Sequence, residues 1–422
     1  MRTEFASAFL VLVCAAGCAS VEEPKLPLPL AAEAAAAPLT RAQCVEFALQ
    51  SVPTAAAWRA RLDHAHAALA SAQRLPNPTL ALNFEDLGLG GGAGVPVQTT
   101  LLLGEALADL ASRERRSAAA QHGLAAEEAR LLAERADLAA SVSLAYDELV
   151  AARKRLELDH DLSEIAQTQQ KAVARFVELG ESPRLDLEKA QAECLDASLQ
   201  SARDEAAARA SEIELAFALG FERPVALQLA EGLGGALAEE TGELEALLAL
   251  AAQRSPRLKA ASETYAAELE RAHLAASGVR FLPVVRAGPR SVGGETLGVV
   301  ELETELPLFD QGQSERSAAS AELLAAAAAV RASAHELARE LSLAHAAVAA
   351  QTQTLEAQAR PLAEQRVRIR QRTEAQFQAG EASYLEQVGA RRDEVKARMD
   401  VLEAELQLAA ARNELARVLG VP

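Results

Sequence analysis

The sequence is poor in the residues that carry most catalytic and metal-binding chemistry. It has four cysteines and seven histidines in 422 residues, and their spacing matches no metal-ligand or redox motif. Cys44 and Cys194 are interpreted as small packed residues. There is no phosphate-binding loop, no nucleophile elbow, and no pair of carboxylates that spacing alone would bring together. We therefore expect neither an enzyme nor a resident metal or cofactor.

Aromatic residues, long apolar runs and excess positive charge are also scarce. Aromatics make up 3% of the chain, few for a membrane protein with aromatic girdles. Outside the N-terminus, no apolar run approaches the ~20 residues of a membrane-spanning helix. A formal charge of −18 argues against nucleic acid as a partner. Half of the residues are apolar, many of them alanine, which favours closely packed helices over a disordered chain.

The N-terminus is predicted to be a secretory signal peptide covering residues 1–17. Arg2 precedes a short apolar run, and small residues at 15–17 lead to Cys18, which resembles a bacterial lipobox. Cys18 is then the lipidation site, carrying palmitate, and no Asp follows it to signal retention at the inner membrane. A plain cleaved signal is the alternative. Residues 18–39 contain four prolines and are interpreted as an extended linker.

A helical hairpin is predicted around Gly180. A long helical pattern ends at this glycine, the residue type most tolerant of the positive φ that helix ends commonly need. Ser182 is predicted as the N-cap of the returning helix, with Pro183 at its first position. One helix thus ends and the next begins within about three residues, as in an antiparallel pair.

The same hairpin recurs two hundred residues later. Gly380 ends a helical pattern and Ser383 restarts one. The two returning arms have equal lengths and end in the shared motif Glu-Leu-Ala-x-x-Leu-Gly, at Gly220 and Gly420. The sequence therefore predicts an internal duplication.

Each half also contains a predicted β-hairpin. In the first, over about residues 79–103, Leu80, Leu82 and Phe84 alternate with less apolar residues, and a glycine-rich turn follows. The second covers about residues 284–307. The first hairpin is roughly long enough to cross a membrane, since a tilted spanning strand needs ~9–11 residues.

Long helices connect the β-hairpins to the helical turns. Residues 104–178 contain no strong breaker and predict a coiled-coil rod of about 110 Å. The shorter helices before and after it would match its length if stacked end to end. The second half repeats this order from Leu244, and Pro361 predicts a kink in its long helix.

One copy of the chain cannot close its own sheet. Four strands leave two open edges, which lipid does not tolerate, and the smallest outer-membrane barrels have about eight strands. Three copies would supply twelve. The predicted fold is mainly α with a small β part: long antiparallel coiled-coil helices forming a trimeric α-barrel, and a shared 12-stranded transmembrane β-barrel. Its repeats are residues 40–220 and 244–422, joined by a connector at 221–243.

The order and duplication of these motifs resemble the TolC family of outer-membrane efflux proteins. The resemblance covers about residues 40–420 and depends on Leu75-Pro76-Asn77-Pro78, segment 306–313, the two turns and the twin endings. It implies a homotrimeric exit duct in outer-membrane lipid that extends into the periplasm. The duct would passively conduct small molecules or metal ions from a periplasmic adaptor and an inner-membrane pump. The acidic, lipidated form resembles the RND heavy-metal and multidrug branch; a type I secretion duct and a non-channel coiled-coil adaptor or scaffold are the alternatives.

The resemblance also implies that the helical tips meet the adaptor. The matching positions are Gly180, Ser182, Leu185, Gly380, Ser383 and Leu385. Ordinary helix-turn chemistry would need the same glycines and serines. Asp186 and Glu386 occupy equivalent tip positions, where they either ring a closed entrance or serve as ordinary N-terminal helix charges.

The last predicted strand suggests a charged pore lining. Glu301, Glu303 and Glu305 alternate with apolar residues, so we expect all three to face the lumen. Three copies would then favour cations, unless Arg286 and Arg290 face the carboxylates across the hairpin and neutralise part of their charge.

Overall fold

The computed structural model describes residues 38–85, 97–234, 242–278 and 281–420. The predicted signal peptide, Cys18 and nearly all of the predicted linker lie outside the described residues, as does the glycine-rich turn after the first strand. None of the described helices is both long and apolar enough to cross a membrane.

The first half of the chain follows the predicted order. Its elements are α1 (Arg41–Ser51), α2 (Thr54–Gln73), β1 (Thr79–Glu85), β2 (Gln98–Ala106), α3 (Leu107–Glu178) and α4 (Arg184–Ala218). Strand β2 runs past the predicted boundary, so α3 begins at Leu107. Helix α3 has 72 residues without interruption, a rod of about 110 Å.

The second half repeats this order with one difference. Its elements are α5 (Leu244–Arg254), α6 (Pro256–Ala276), β3 (Val284–Val292), β4 (Glu295–Glu303), α7 (Gln313–Gln353), a π-helical turn (Thr354–Ala359), α8 (Arg360–Gln378) and α9 (Tyr384–Leu419). The π-helical turn lies just before Pro361. Because proline lacks an N–H and crowds the preceding turn, the widened turn accommodates it and the chain stays helical.

The short helices stack end to end on the returning arms, as predicted. Helix α4 ends at Gly220, where an added methyl group would lie 3.0 Å from the Ser51 carbonyl oxygen at the α1–α2 link. In the second half, Gly420 approaches Pro256 in the same way, at 3.4 Å from Cδ. The twin Leu-Gly endings thus mark two equivalent junctions near the middle of the rods.

The helices form two four-membered arrays that share α3. In the part nearer the sheet they pack in the order α2, α3, α6, α7, and in the part nearer the tips in the order α4, α3, α9, α8. Much of the buried core is alanine, together with Leu and Val from facing helices. Helices α4 and α8 are the edges of the lower array in the described chain.

The four strands form one antiparallel sheet in the order β1-β2-β3-β4. The outer edges of β1 and β4 have no partner strand within the described chain. Strand β4 ends at Glu303 instead of near 307. Beyond it, the Thr304 hydroxyl donates to the Phe281 carbonyl oxygen (2.9 Å), and Pro307 has no N–H to extend the ladder.

Candidate functional site

One face of the sheet is apolar and exposed. The strand register places Leu82 opposite Leu101 and Ala287 opposite Val300 on the same face. Seven large side chains of this face are at least 41% exposed: Leu80, Leu82, Phe84, Leu101, Leu103, Val300 and Leu302. A contiguous apolar surface of this kind requires a partner or a lipid environment.

The opposite face of the sheet carries the charged side chains, whose arginines are internally paired, together with a few apolar residues such as Leu102 and Leu297. Arg290 Nε donates to Thr100 Oγ1 (3.0 Å), and its Nη2 lies 3.9 Å from Glu85. Arg286 forms an ion pair with Glu303 and lies opposite Glu301 in the register. The predicted alternation of apolar and polar faces is therefore confirmed.

The predicted glutamates do not all belong to this polar face. Glu301 and Glu303 lie on it, beside the arginine that the sequence offered as a neutralising partner. Glu305 lies beyond the end of β4. Because β4 ends at Glu303 and not near residue 307, the alternation of the strand no longer fixes where the Glu305 side chain points. That Glu305 faces the pore stays a prediction.

Both helical tips turn through glycine in the left-handed conformation. Gly180 has φ +74° and Gly380 has φ +77°. The next N–H closes each helix end: Glu181 donates to the Phe176 carbonyl and Glu381 to the Gln376 carbonyl, both at 2.8 Å. This is the backbone geometry of a glycine-terminated helix.

The second tip has a full capping box. The Ser383 hydroxyl accepts from the Glu386 N–H, and the Glu386 carboxylate accepts from the Ser383 N–H (2.7 Å). The backbone hydrogen bond, followed by the Ser383 hydroxyl, lowers the pKa of Glu386. Leu385 beside it is 49% exposed.

The first tip begins one residue later than predicted. Pro183 is the N-cap, with ψ 149°, and α4 begins at Arg184. Ser182 therefore does not cap the helix; its hydroxyl donates to Asp186 Oδ2 (3.0 Å). Leu185 is 57% exposed. Asp186 accepts a hydrogen bond from the Ser182 hydroxyl, whereas Glu386 accepts one from the Ser383 N–H. The two tips therefore differ in how their acidic residue is bound.

An aromatic cluster links the two tips, and the sequence interpretation missed it. Tyr384 packs edge-on against Phe176, with ring centroids 6.4 Å apart, and against Phe377, at 6.2 Å. Phe176 belongs to the first hairpin and the other two rings to the second. Aromatic residues are only 3% of the chain. Three of them close to the two turn glycines were the sequence signal that could have predicted this cluster.

The remaining reactive groups lie apart from these surfaces. Both described cysteines are free thiols, and burial raises the pKa of the Cys44 thiol to about 11. Within the described ranges, no three His, Cys, Asp or Glu side chains are grouped as metal ligands. The functional geometry of the described chain is thus a sheet with two different faces, joined to long paired helices with exposed tips.

The described chain therefore combines a small antiparallel sheet with long paired helices. Solved structures share the fold. A membrane protein from Pseudomonas aeruginosa has a TM-score of 0.73 and 20% identity, over 90% of this chain and 93% of the other. The outer-membrane channel OprN has 0.73 and 19%, over 90% of each chain. The outer membrane protein VceC from Vibrio cholerae has 0.70 and 18%, over 90% and 96%.

The family comparison is more specific for the second half of the chain. Residues 247–421 match the outer membrane efflux protein family, and the described chain as a whole shares its fold with the three solved structures named above. No curated protein matches the chain by sequence. The resemblance drawn from the sequence, and the mainly α fold with a small antiparallel sheet, are confirmed.

Proposed function

We propose that this protein is the outer-membrane exit duct of an efflux system and acts passively as a homotrimer. The observation that carries the proposal is the sheet: an exposed apolar face, a polar opposite face and two unpaired edges. In lipid, an open edge leaves backbone groups without hydrogen bonds. Pairing β4 of one copy with β1 of the next removes both edges, and three copies make a twelve-stranded barrel.

The edge helices support the same closure below the membrane. The outer side of α4 carries Leu195 and Leu199, 70% and 50% exposed, with acidic Glu188 and Asp196 nearby. The outer side of α8 carries Leu362 and Ile369, 42% and 38% exposed. Its exposed arginines, Arg368 and Arg372, complement that acidic surface.

One charged pair also matches in height along the rods. Glu188 and Arg372 stand equally far from their tip glycines, Gly180 and Gly380, on opposite edges of the array. In a closed ring of copies, α4 of one protomer would lie beside α8 of the next. Exposed leucines would pack centrally between the charged pairs, as in a coiled coil.

The remaining parts of the proposal concern the partner proteins, the membrane anchor and the pore lining. Exposed tip residues, including Leu185 and Leu385, would dock on a periplasmic adaptor that connects to an inner-membrane pump of the RND type. Cys18 would carry the lipid that anchors the N-terminus in the outer membrane. Glu301 and Glu303 would line the pore, with Arg286 offsetting part of their charge.

The assembly is tested by reversing charge at the proposed interface. Glu188→Arg with Asp196→Arg should convert trimers to monomers in native mass spectrometry, because arginine then faces arginine. Adding Arg368→Glu and Arg372→Glu should restore trimers. Glu157→Arg with Glu164→Arg, on the exposed surface of the central helix α3, is the matched control. A wild-type chain that is monomeric in detergent overturns the proposal.

Conduction is tested separately on purified trimers in planar bilayers. The wild type, or a tip-loosened Tyr384→Ala variant, should carry ionic current. Trimers that never conduct in either form would favour the scaffold alternative.

Lipidation is tested by Cys18→Ala. This variant should lack the N-terminal lipid but still form trimers, and the mass of the intact chain shows whether the lipid is present.

A further inference from the structure

Two carboxyl groups are buried against each other between α3 and α4, away from both the sheet and the tips. The side chains of Asp159 on α3 and Asp204 on α4 face each other closely enough for a hydrogen bond once one carboxyl is protonated, and the residues are only 3% and 8% exposed. Gln200 Nε2 donates to Asp204 Oδ2 (2.8 Å). Asp159 Oδ2 receives no N–H or hydroxyl from any described residue. Two carboxylates in such contact need a shared proton, because both cannot ionise at short distance.

The surrounding charges do not neutralise this pair. Arg155, one turn earlier on α3, is the nearby cation, and its guanidinium is ion-paired with Glu403 of α9. On the α4 side, the charged group that faces Asp159 is Asp204 itself. Burial, followed by the contact with Asp204, raises the pKa of Asp159 to about 7 in spite of Arg155. An ordinary aspartate has lost its proton well below this pH.

The second hairpin provides an internal comparison. When the repeats are aligned at Gly180 and Gly380, Asp159 corresponds to Ala359 and Asp204 to Ala404. These alanines lie in one buried cluster with Leu355 and Leu408, 2% and 7% exposed. The same helix–helix position is thus apolar in one hairpin and a carboxyl pair in the other.

We propose that Asp159 and Asp204 form a proton-dependent lock that holds α3 and α4 together in acid and loosens as the pH rises, whereas the second hairpin lacks such a lock. The inference concerns packing inside one hairpin and holds whether or not the assembled protein conducts. Its consequence is an asymmetry: pH acts on the arm that leads to the first tip and not on the arm that leads to the second.

The direction of the effect follows from the proton balance. The pKa of Asp159 in the folded hairpin is about 7, above the ~3.9 of a free aspartate, so opening the pair releases a proton. The lock is at full strength below about pH 4. It weakens by up to about tenfold per pH unit above that value, and its contribution is lost as the pH rises through the raised pKa.

Hydrogen exchange measured by mass spectrometry on the full-length protein in detergent tests this lock. Protection of α4 amides, corrected for intrinsic exchange, should fall about tenfold or more between about pH 5 and about pH 8 in the wild type. Asp159→Asn keeps a hydrogen-bond donor toward Asp204 without the titration. It should hold α4 protection within about twofold over the same range. Asp161→Asn, an exposed neighbour on α3, should behave as wild type, and peptides of α9 should not respond.

A second variant covers the case in which Asp159→Asn misfolds. The double replacement Asp159→Ala with Asp204→Ala copies the second hairpin and should also remove the pH response of α4. Equal wild-type protection at both pH values would overturn the lock. So would a pH response that survives in either variant, or one of equal size in α9.

Discussion

Arg417 on α9 donates to Asp137 on α3 across the interface of the two repeats, with 2.9 Å between Nη1 and Oδ1. Arg417 also donates to Glu340 on α7 (2.8 Å) and to Glu414. Arg257 on α6 binds the same Asp137 through both carboxylate oxygens. Four helices therefore meet in one network beside the α5–α6 junction, and these contacts raise the pKa of Arg417.

Replacing Arg417 by Ala should destabilise the protein by about 2 kcal/mol, because three carboxylates, of which Glu340 is the most buried at 19% exposed, would each lose a charged hydrogen-bond donor. The Arg417 side chain is only 14% exposed, so water cannot readily replace its hydrogen bonds. The measurement is the thermal unfolding midpoint in detergent. Arg209→Ala, whose side chain is 73% exposed in an i,i+4 pair, should leave that midpoint unchanged. Equal midpoints for both variants would contradict the network's role.

The two stacking junctions should respond unequally to a methyl group. Gly220→Ala and Gly420→Ala both place alanine at positive φ. The resulting backbone strain should destabilise each variant by about 1 kcal/mol. Only at Gly220 would the new carbon press on backbone at 3.0 Å, which should add about 1–3 kcal/mol. Chemical unfolding of the two variants compares them directly. A larger loss for Gly420→Ala would show that the first junction is less tightly packed than described.

The aromatic cluster should control order at the tips. Tyr384→Ala removes two ring contacts, worth about 1–3 kcal/mol together, and should raise hydrogen exchange at residues 176–186 and 376–386. Tyr384→Phe keeps both rings and loses only a long contact of 3.5 Å from its hydroxyl to the Thr168 carbonyl. It should therefore exchange like the wild type. Unchanged exchange in the alanine variant would mean that the turns hold the tips by themselves.

Two glycines of the sheet should differ sharply in tolerance. A methyl group at Gly288 would lie 1.9 Å from the Leu101 carbonyl oxygen, whereas one at Gly298 meets nothing within 4 Å. Gly288→Ala should therefore separate β2 from β3, at a cost above about 3 kcal/mol. Gly298→Ala should be accepted. Protease resistance of the sheet region distinguishes them, and a protected Gly288→Ala sheet would contradict the close approach.

The sequence determined those features that depend on local periodicity and turn chemistry. Alternation over Leu80, Leu82 and Phe84 predicted a two-faced sheet, because side chains in a strand change face at every residue. Gly180 and Gly380 predicted the tips, since few other residues adopt positive φ at a helix end. The repeated Leu-Gly endings predicted the duplication, and the helix lengths predicted the end-to-end stacking that the structure contains.

Boundaries and short-range details were less secure. Ser182 was expected to cap α4, but Pro183 remains extended and the helix begins one residue later. Glu305 was expected on the strand face, but the ladder ends first. In both cases the exact end of an element decides where a side chain points, and propensity alone does not fix that boundary.

Only the tertiary structure decided which distant side chains meet. The members of each contact lie on separate helices: Asp159 and Asp204, Arg417 and Asp137, and the rings of Phe176, Phe377 and Tyr384. Each residue turns a helix by about 100°, so a contact between helices depends on the rotation and height of both rods. The rotation of one helix relative to another cannot be predicted from composition and residue spacing. The packing of α3 against its neighbours sets it, and brings a carboxyl pair together in one hairpin where the other hairpin has two alanines.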